Sequence, residues 1–200
     1  RPEPNVILDV IESSVNAPTE VQAIDLGLSV KWASCNVGTS VSHPAGGLYG
    51  WADPTGERRS KLVDDYIPLR EYQIMRIPYN IAGSKSDIAT CKWGKIWRIP
   101  TRGEWKELIE KCQWVRIYTP SFKGFRIEGS NGNCIFLPNT GLRFGESITN
   151  NDAGYYWSSE RVKDESPYAY YLYFDKNGPN DNVDTRNYVF SGRAVRPVCE

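Results

Sequence analysis

The stretch "KWGKIWRIPTRGEWKELIEKC", residues 92–112, decides how the rest of the chain is read. Thr101 and Glu104 stand in the T-x-x-E relation of a capping box, in which each side chain takes a backbone N–H that the helix end leaves without a partner. The spacing predicts a helix that begins at Arg102. Pro100 and Trp105 occupy the two positions of a hydrophobic staple, which fixes the angle at which the chain enters the helix. Trp105, Leu108, Ile109 and Cys112 recur at i, i+3, i+4 and i+7, so a single apolar stripe runs along it. Glu107 and Lys111 lie off that stripe in the favourable acid-before-base order, worth about a few tenths of a kcal/mol. Every residue of the stretch, Trp97 included, has a structural explanation, and none calls for a catalytic one.

At 200 residues the chain is long enough for one sizeable core. Its 24 basic residues balance 24 acidic ones, so no global field attracts nucleic acid or an anionic membrane, and no nucleic-acid partner is expected. No apolar run approaches the roughly 20 residues of a membrane span, and "VILDVI" near the start is interrupted by Asp9. A start at Arg1, without methionine or leader, fits an exported chain whose leader has been removed, with a lipid tether ahead of Arg1 as one arrangement. Five cysteines, at 35, 91, 112, 134 and 199, and the single histidine, His43, show no zinc spacing, so no metal site is expected. Free buried thiols and one or two disulfides both remain open, and export would favour bridges.

Residues 1–20 read as a tether or an edge strand, and residues 21–200 as the domain. From Ile24 to Trp32 apolar residues alternate almost strictly, which predicts a strand ending at Asn36-Val37-Gly38. Residues 38–60 carry loop chemistry around an apolar island, "LYGWA". "GSKSDIATCKWG" offers Ser84 or Ser86 as the cap of a short helix stopped at Gly94. Two short apolar runs flank Ser130-Asn131-Gly132-Asn133, a hairpin signal because Asn and Gly tolerate positive φ. The last third reads as strands: "GYYWSSE", "YAYYLYFD" and "YVFSGRAVRPV". In the second of these both alternating sets are apolar or aromatic, the pattern of a central strand covered on both faces. One or two helices followed by short antiparallel strands and long loops give an α+β domain.

Four blocks, "IDLGLSVKWASCNVG", "WGKIWRIPTRGEWKELIEKC", "NGNCIFLPNTG" and "GYYWSSE" with "GRAVRPVC", together resemble the Fibrobacter-type major paralogous domain of Bacteroidetes surface proteins. The similarity runs from about Val21 to Cys199. That family is in turn similar to the C-type lectin-like fold of formylglycine-generating enzymes, which carry a turn into a helix like "RIPTRGEWK", residues 98–106. The resemblance implies one or two helices packed on short twisted antiparallel strands, chain ends close together, and export to the cell surface, with Trp157 and Arg196 among the framework residues. It supplies no reaction, because the oxidases use a pair of cysteines near the end of the domain and this chain holds only Cys199 there. In C-type lectin-like domains a first-helix cysteine is often bridged to the last strand, which implies Cys91 with Cys199; a second pairing would join Cys112 to Cys134.

No other constellation singles out a reaction. His43 has no acid near it in sequence, so a solvated loop histidine is the simpler reading than a triad. No pair among the acids stands out for glycoside hydrolysis, and no phosphate-binding glycine loop is present. The segment "DKNGPNDNVDTRNY", residues 175–188, has the oxygen density to hold calcium but misses the EF-hand register, and Asx turns account for it more simply. Seven of the twelve tyrosines fall between Tyr155 and Tyr188, among many Asn, Asp and Ser, the chemistry of paratopes and sugar platforms. With Tyr155–Trp157 and Tyr170–Tyr173 assigned to the core, the expected contact surface is the polar loop with Asn177, Asn180, Asp181, Asn182, Asp184, Arg186, Asn187 and Tyr188. The expectation is a non-catalytic, extracellular adhesion module, without cofactor, for a surface glycan or protein. Two alternatives are a structural subunit that uses residues 1–20 as a donor strand, and an oxidase of the formylglycine-generating type.

Overall fold

Asp25 and Gly27 break what the apolar alternation presents as one strand. Asp25 Oδ1 accepts the Gly27 N–H at 2.7 Å, and Gly27 takes φ 74°. This is an Asx turn, and it folds the segment back on itself. In the computed structural model, which describes residues 21–62, 65, 66, 68, 77–163, 167–180 and 186–200 (for 186 and 187 the backbone alone), strand β1 (Ala23–Ile24) therefore pairs antiparallel with β2 (Lys31–Ala33). Residues 1–20, read as tether or edge strand, lie outside the described residues.

Strand β12 (Val198–Cys199) pairs with the other edge of β2, so the two ends of the described domain meet in one three-stranded sheet. A second sheet runs β3 (Gln113–Tyr118), β4 (Lys123–Glu128), β5 (Cys134–Pro138). Its β4–β5 hairpin turns at Gly129–Asn133, where Gly132 has φ 84°. The Asn131 and Asn133 side chains both donate to Asp25 O and dock that turn against the first hairpin. A small hairpin follows, β6 (Leu142–Phe144) with β7 (Ser147–Thr149). In the fourth sheet the central strand is β9 (Tyr168–Asp175), flanked by β8 (Gly154–Arg161) on one side and by β10 (Gly178–Pro179) and β11 (Arg186–Tyr188) on the other. These small, mostly antiparallel sheets and two short helices make an α+β fold.

The helices are α1 (Ile88–Trp93) and α2 (Arg102–Lys111). Asp87, not Ser84 or Ser86, caps α1. Its Oδ1 accepts from Ala89 and Thr90, and its Oδ2 from Gly83 and Ile99, four backbone donors that a serine hydroxyl could not serve. Gly94, with φ 96°, stops the helix. On α2 the capping box is complete: Thr101 Oγ1 accepts the Glu104 N–H and Glu104 Oε2 accepts the Thr101 N–H. Glu104 also forms a two-pronged pair with Arg98, at 2.9 and 2.6 Å, and Arg98 bridges to Val198 through its backbone, so the helix start is tied to the end of the chain. Glu107 reaches beyond Lys111, because Ser29 donates both its hydroxyl and its N–H to the same carboxylate oxygen.

The β8–β9 sheet divides the core. Tyr156, Leu172 and Phe174 pack on one side with Trp32, Trp105, Leu108, Phe125 and Ile127. Trp157 and Ala169 pack on the other with Tyr49, Trp51, Tyr66 and Phe190, so the "LYGWA" loop island contributes core residues. The odd-numbered face of β9 is covered only in part: Ala169 is buried, while Tyr171 and Tyr173 are half-buried. Trp97 and Cys199 share a small satellite cluster with Trp93.

Neither disulfide forms; all five cysteines are free. Cys91 and Trp93 lie two residues apart on α1 and so face different ways. Trp93 packs toward Cys199, which leaves Cys91 exposed. Gln113 and Cys134 pair with opposite edges of Glu128, which puts β4 between Cys112 and Cys134. Two strand spacings amount to about 10 Å, beyond the roughly 7 Å that a disulfide can bridge between Cα atoms.

Candidate functional site

The two described ends of the loop expected to make contact lie along one edge of the strand that precedes it. Asn177 is exposed at the turn that follows β9, its N–H on Asp175 Oδ1, and Asn180 is exposed beside Tyr173, its N–H on Tyr173 O. Arg186, Asn187 and Tyr188 pair with Tyr170, Ala169 and Tyr168 farther along the same edge of that strand. Asn180 and Arg186 thus lie three residues apart along one edge of β9, about 10 Å at 3.3 Å per residue. Asp181, Asn182 and Asp184 lie outside the described residues. Tyr188 is 38% exposed and its ring leans on Tyr168 and Phe190, at 4.8 and 5.1 Å.

Two tyrosines assigned to the core, Tyr155 and Tyr173, line a second candidate site. A groove of about 540 Å3 opens where the end of β3, the turn between β7 and β8, and the end of β9 come together. The face of β3 and β4 that buries Trp114, Phe125 and Ile127 carries Arg116, Tyr118 and Lys123 farther along, because paired and alternate residues share a face. Tyr118 is 56% exposed, with the Arg116 guanidinium 4.6 Å and the Lys123 ammonium 5.1 Å from its ring centre. Between β7 and β8 the run Asn150-Asn151-Asp152-Ala153 closes a tight turn through Ala153 N to Asn150 O. Asn150 takes φ 54°, a conformation that Asn tolerates better than most residues. Its side chain donates to the Tyr155 hydroxyl at 3.2 Å.

Tyr155 and Tyr173 face each other across the β8–β9 ladder, ring centres 5.2 Å apart, and line the groove. The Tyr173 hydroxyl donates to Asp175 Oδ2 at 3.3 Å, while Asp175 Oδ1 is held by the Asn177 N–H. Burial pushes both phenols above their ordinary value, so both present neutral hydroxyls near pH 7. Behind this wall lies Arg193, fully buried, its guanidinium 4.4 Å from the Trp157 ring and 4.1 Å from the Tyr171 ring. Desolvation lowers its pKa to about 10, which still leaves it charged at neutral pH.

No family model matches the chain, and no curated protein or solved structure is significantly similar to it. The site therefore has to be read from its own chemistry. Sequence reasoning missed Arg116, Tyr118 and Asn150–Asp152; the run "TNND" after an apolar hairpin was the one local signal of a polar turn beside the tyrosines.

The remaining expected residues belong to the frame. Pro100 is buried and its carbonyl accepts the Ser159 N–H; Thr101 and Glu104 cap α2; Trp97, Trp105, Trp157 and Arg196 are buried. His43 is exposed, with Nδ1 2.9 Å from Ser42 Oγ, in the same loop as Ser40 and with no described carboxylate bonded to it. Asp175 is spent on a backbone N–H and a phenol, an Asx arrangement rather than the start of a cation cage.

The thiols lack the setting of a nucleophile. Burial raises the pKa of Cys35, Cys91, Cys112, Cys134 and Cys199, Cys112 to about 11, the reverse of the depression that makes thiolates available. Burial also raises Tyr49, to about 12, and carries Tyr66 and Tyr156 upward as well. For an acid whose pKa is higher folded than unfolded, the unfolded chain loses its proton first. Stability is thus complete below the unfolded values, near 9 for thiols and 10 for phenols, and falls as pH climbs toward the folded ones. Arg193 opposes this, since the cost of burying its charge relaxes above about pH 10, and Arg143 and Arg196, also lowered by desolvation, act in the same sense, but they are outnumbered by the raised thiols and phenols. The urea midpoint is expected to hold from pH 7 to 8 and to decline from pH 9 to 11, each fully buried phenol contributing up to about 1.4 kcal/mol per pH unit within its window. A midpoint that stays level or rises across that range would contradict these burial assignments.

Proposed function

We propose that the protein is a non-catalytic recognition module whose frame, of the C-type lectin-like kind, holds out the Tyr118–Tyr155–Tyr173 groove for a glycan or protein ligand outside the cell. The observation that carries this reading is the groove itself: aromatic faces, side-chain amides and both signs of charge brought together by three separate strand ends. Its volume of about 540 Å3 falls in the range of about 300–1,000 Å3 typical of small-molecule sites. Aromatic rings on strands supply flat apolar area at low entropic cost, and the Asn side chains fix orientation by hydrogen bonds. The frame supports the lectin-like reading because its first and last strands share one sheet and its helices pack against strand-rich layers. Thiols held protonated by burial weigh against an oxidase, which needs thiolates.

A glycan and surface-protein array, probed with and without calcium, tests the reading. The domain is expected to retain a defined set of ligands that Tyr118→Ala weakens about tenfold or more, since an exposed aromatic anchor at the centre of a site carries a large share of the affinity. Binding that is unaffected by Tyr118→Ala and Asn151→Ala would place the ligand elsewhere.

A further inference from the structure

Within the groove the Asp175 carboxylate is already engaged, and several donors are not. Asp175 receives the Asn177 N–H and the Tyr173 hydroxyl, and Asp152 stands 3.9 Å from Lys123. Arg116 and Lys176, by contrast, have no carboxylate within ion-pair distance among the described residues. The Arg116 guanidinium lies over the Tyr118 ring, an arrangement that satisfies its face and leaves its N–H edge unspent. The Tyr155 hydroxyl accepts from Asn150, and no described acceptor takes its own proton. Counting Lys123, three cations stand against the carboxylates of Asp152 and Asp175, a net charge of +1, around the exposed Tyr118 ring.

We propose that the ligand of this groove is an acidic sugar, a hexuronate or similar residue whose ring stacks on Tyr118 and whose carboxylate meets the Arg116 and Lys176 side chains. This rests on the reading of the groove as the recognition site and assigns its ligand class. A carboxylate supplies two acceptor oxygens, the complement of a guanidinium edge. The pyranose ring supplies a flat C–H face for the phenol and hydroxyls for the Asn150 and Asn151 amides and the Tyr155 O–H. An extended acidic peptide would offer the carboxylates without the stacking face, so a sugar uses more of what the groove presents.

The test is calorimetric titration of the intact domain with galacturonate, glucuronate and N-acetylneuraminate oligosaccharides. Methyl-esterified oligogalacturonate serves as the uncharged match, and hexaglutamate as the acidic peptide. At least one acidic oligosaccharide is expected to bind, with affinity falling as salt rises and at least about tenfold loss on esterification or in Arg116→Gln, the worth of one charge-assisted contact. Lys176→Gln should weaken the same ligand and leave the ester unchanged. Both positions are exposed, and unchanged thermal unfolding of the variants confirms that they fold. If the ester or neutral sugars bind as well as the acid while Tyr118→Ala abolishes them, the groove remains the site and the acidic assignment falls. Tighter binding of hexaglutamate, or no binding by any of the three acids, also overturns the assignment. Acid binding that ignores both Arg116→Gln and Tyr118→Ala overturns the assignment and the groove reading together.

Discussion

Arg196→Ala is expected to remove about 4 kcal/mol of folding stability, read as a large drop in the urea midpoint with the slope preserved. The side chain is fully buried and, among the described residues, pairs with no carboxylate. Instead it spends three donors on three oxygens from distant parts of the chain: Nε on Asn36 Oδ1 at 2.7 Å, Nη1 on Ala33 O at 3.0 Å, and Nη2 on Phe136 O at 2.7 Å. Asn36 in turn donates to Ala45 O and to the Tyr156 hydroxyl, which donates to Pro138 O. One guanidinium thus ties β2, β5, β8 and the loop at residue 45 to the C-terminal segment. Truncation opens a cavity and leaves three oxygens without this donor, and buried acceptors without donors cost about 1–3 kcal/mol each. Arg196→Lys is expected to rescue less than half of the loss, because an ammonium is a point of charge and cannot aim three N–H groups along a planar fork. A loss below about 1 kcal/mol for the alanine variant, or full rescue by lysine, would mean that desolvation of the charge cancels what these bonds contribute.

What the amino-acid sequence makes legible depends on how far apart the interacting groups lie along it. The α2 capping box, its apolar stripe, the Gly94 stop and the Asn131–Gly132 turn all involve residues within about seven positions, and each is where the pattern puts it. Asp87 defeats the same logic. Ser84, Ser86 and Asp87 are all competent caps, and the choice falls to Asp87 because Gly83 on one side and Ile99, twelve residues on, bring N–H groups that need a second carboxylate oxygen. Glu107 shows it again: its i+4 partner Lys111 is legible, while Ser29, 78 residues away, is not. The groove lies at the far end of this scale. Tyr118, Asn150 and Tyr173 come from three elements, and no local pattern reports that β3 and β9 end together. The tyrosine density of the last third was visible, but alternation alone assigned Tyr173 to a covered face, whereas the cover stops at Tyr171.

Trp105→Ala should be comparably severe, about 3–5 kcal/mol, and it separates the frame from the site. The indole is 1% exposed, lies 4.7 Å from the Trp32 ring and 5.9 Å from that of Tyr156, and donates Nε1–H to Trp157 O at 3.2 Å. It is at once the staple residue of α2, the link between that helix and β8, and the filler between the first hairpin and the central sheet. Alanine removes the packing and also leaves the Trp157 carbonyl without this donor. Trp105→Phe keeps most of the volume and loses only the N–H, so it is expected to recover more than half of the stability. The ring and hydrogen-bond partners of the indole, Trp32, Tyr156 and Trp157 O, lie outside the groove lining, so the phenylalanine variant should bind the groove ligand with unchanged affinity although its urea midpoint falls. If Trp105→Ala unfolds at the parent midpoint, the helix does not depend on this contact; if Trp105→Phe folds but loses the ligand, the groove is not independent of the core beneath α2.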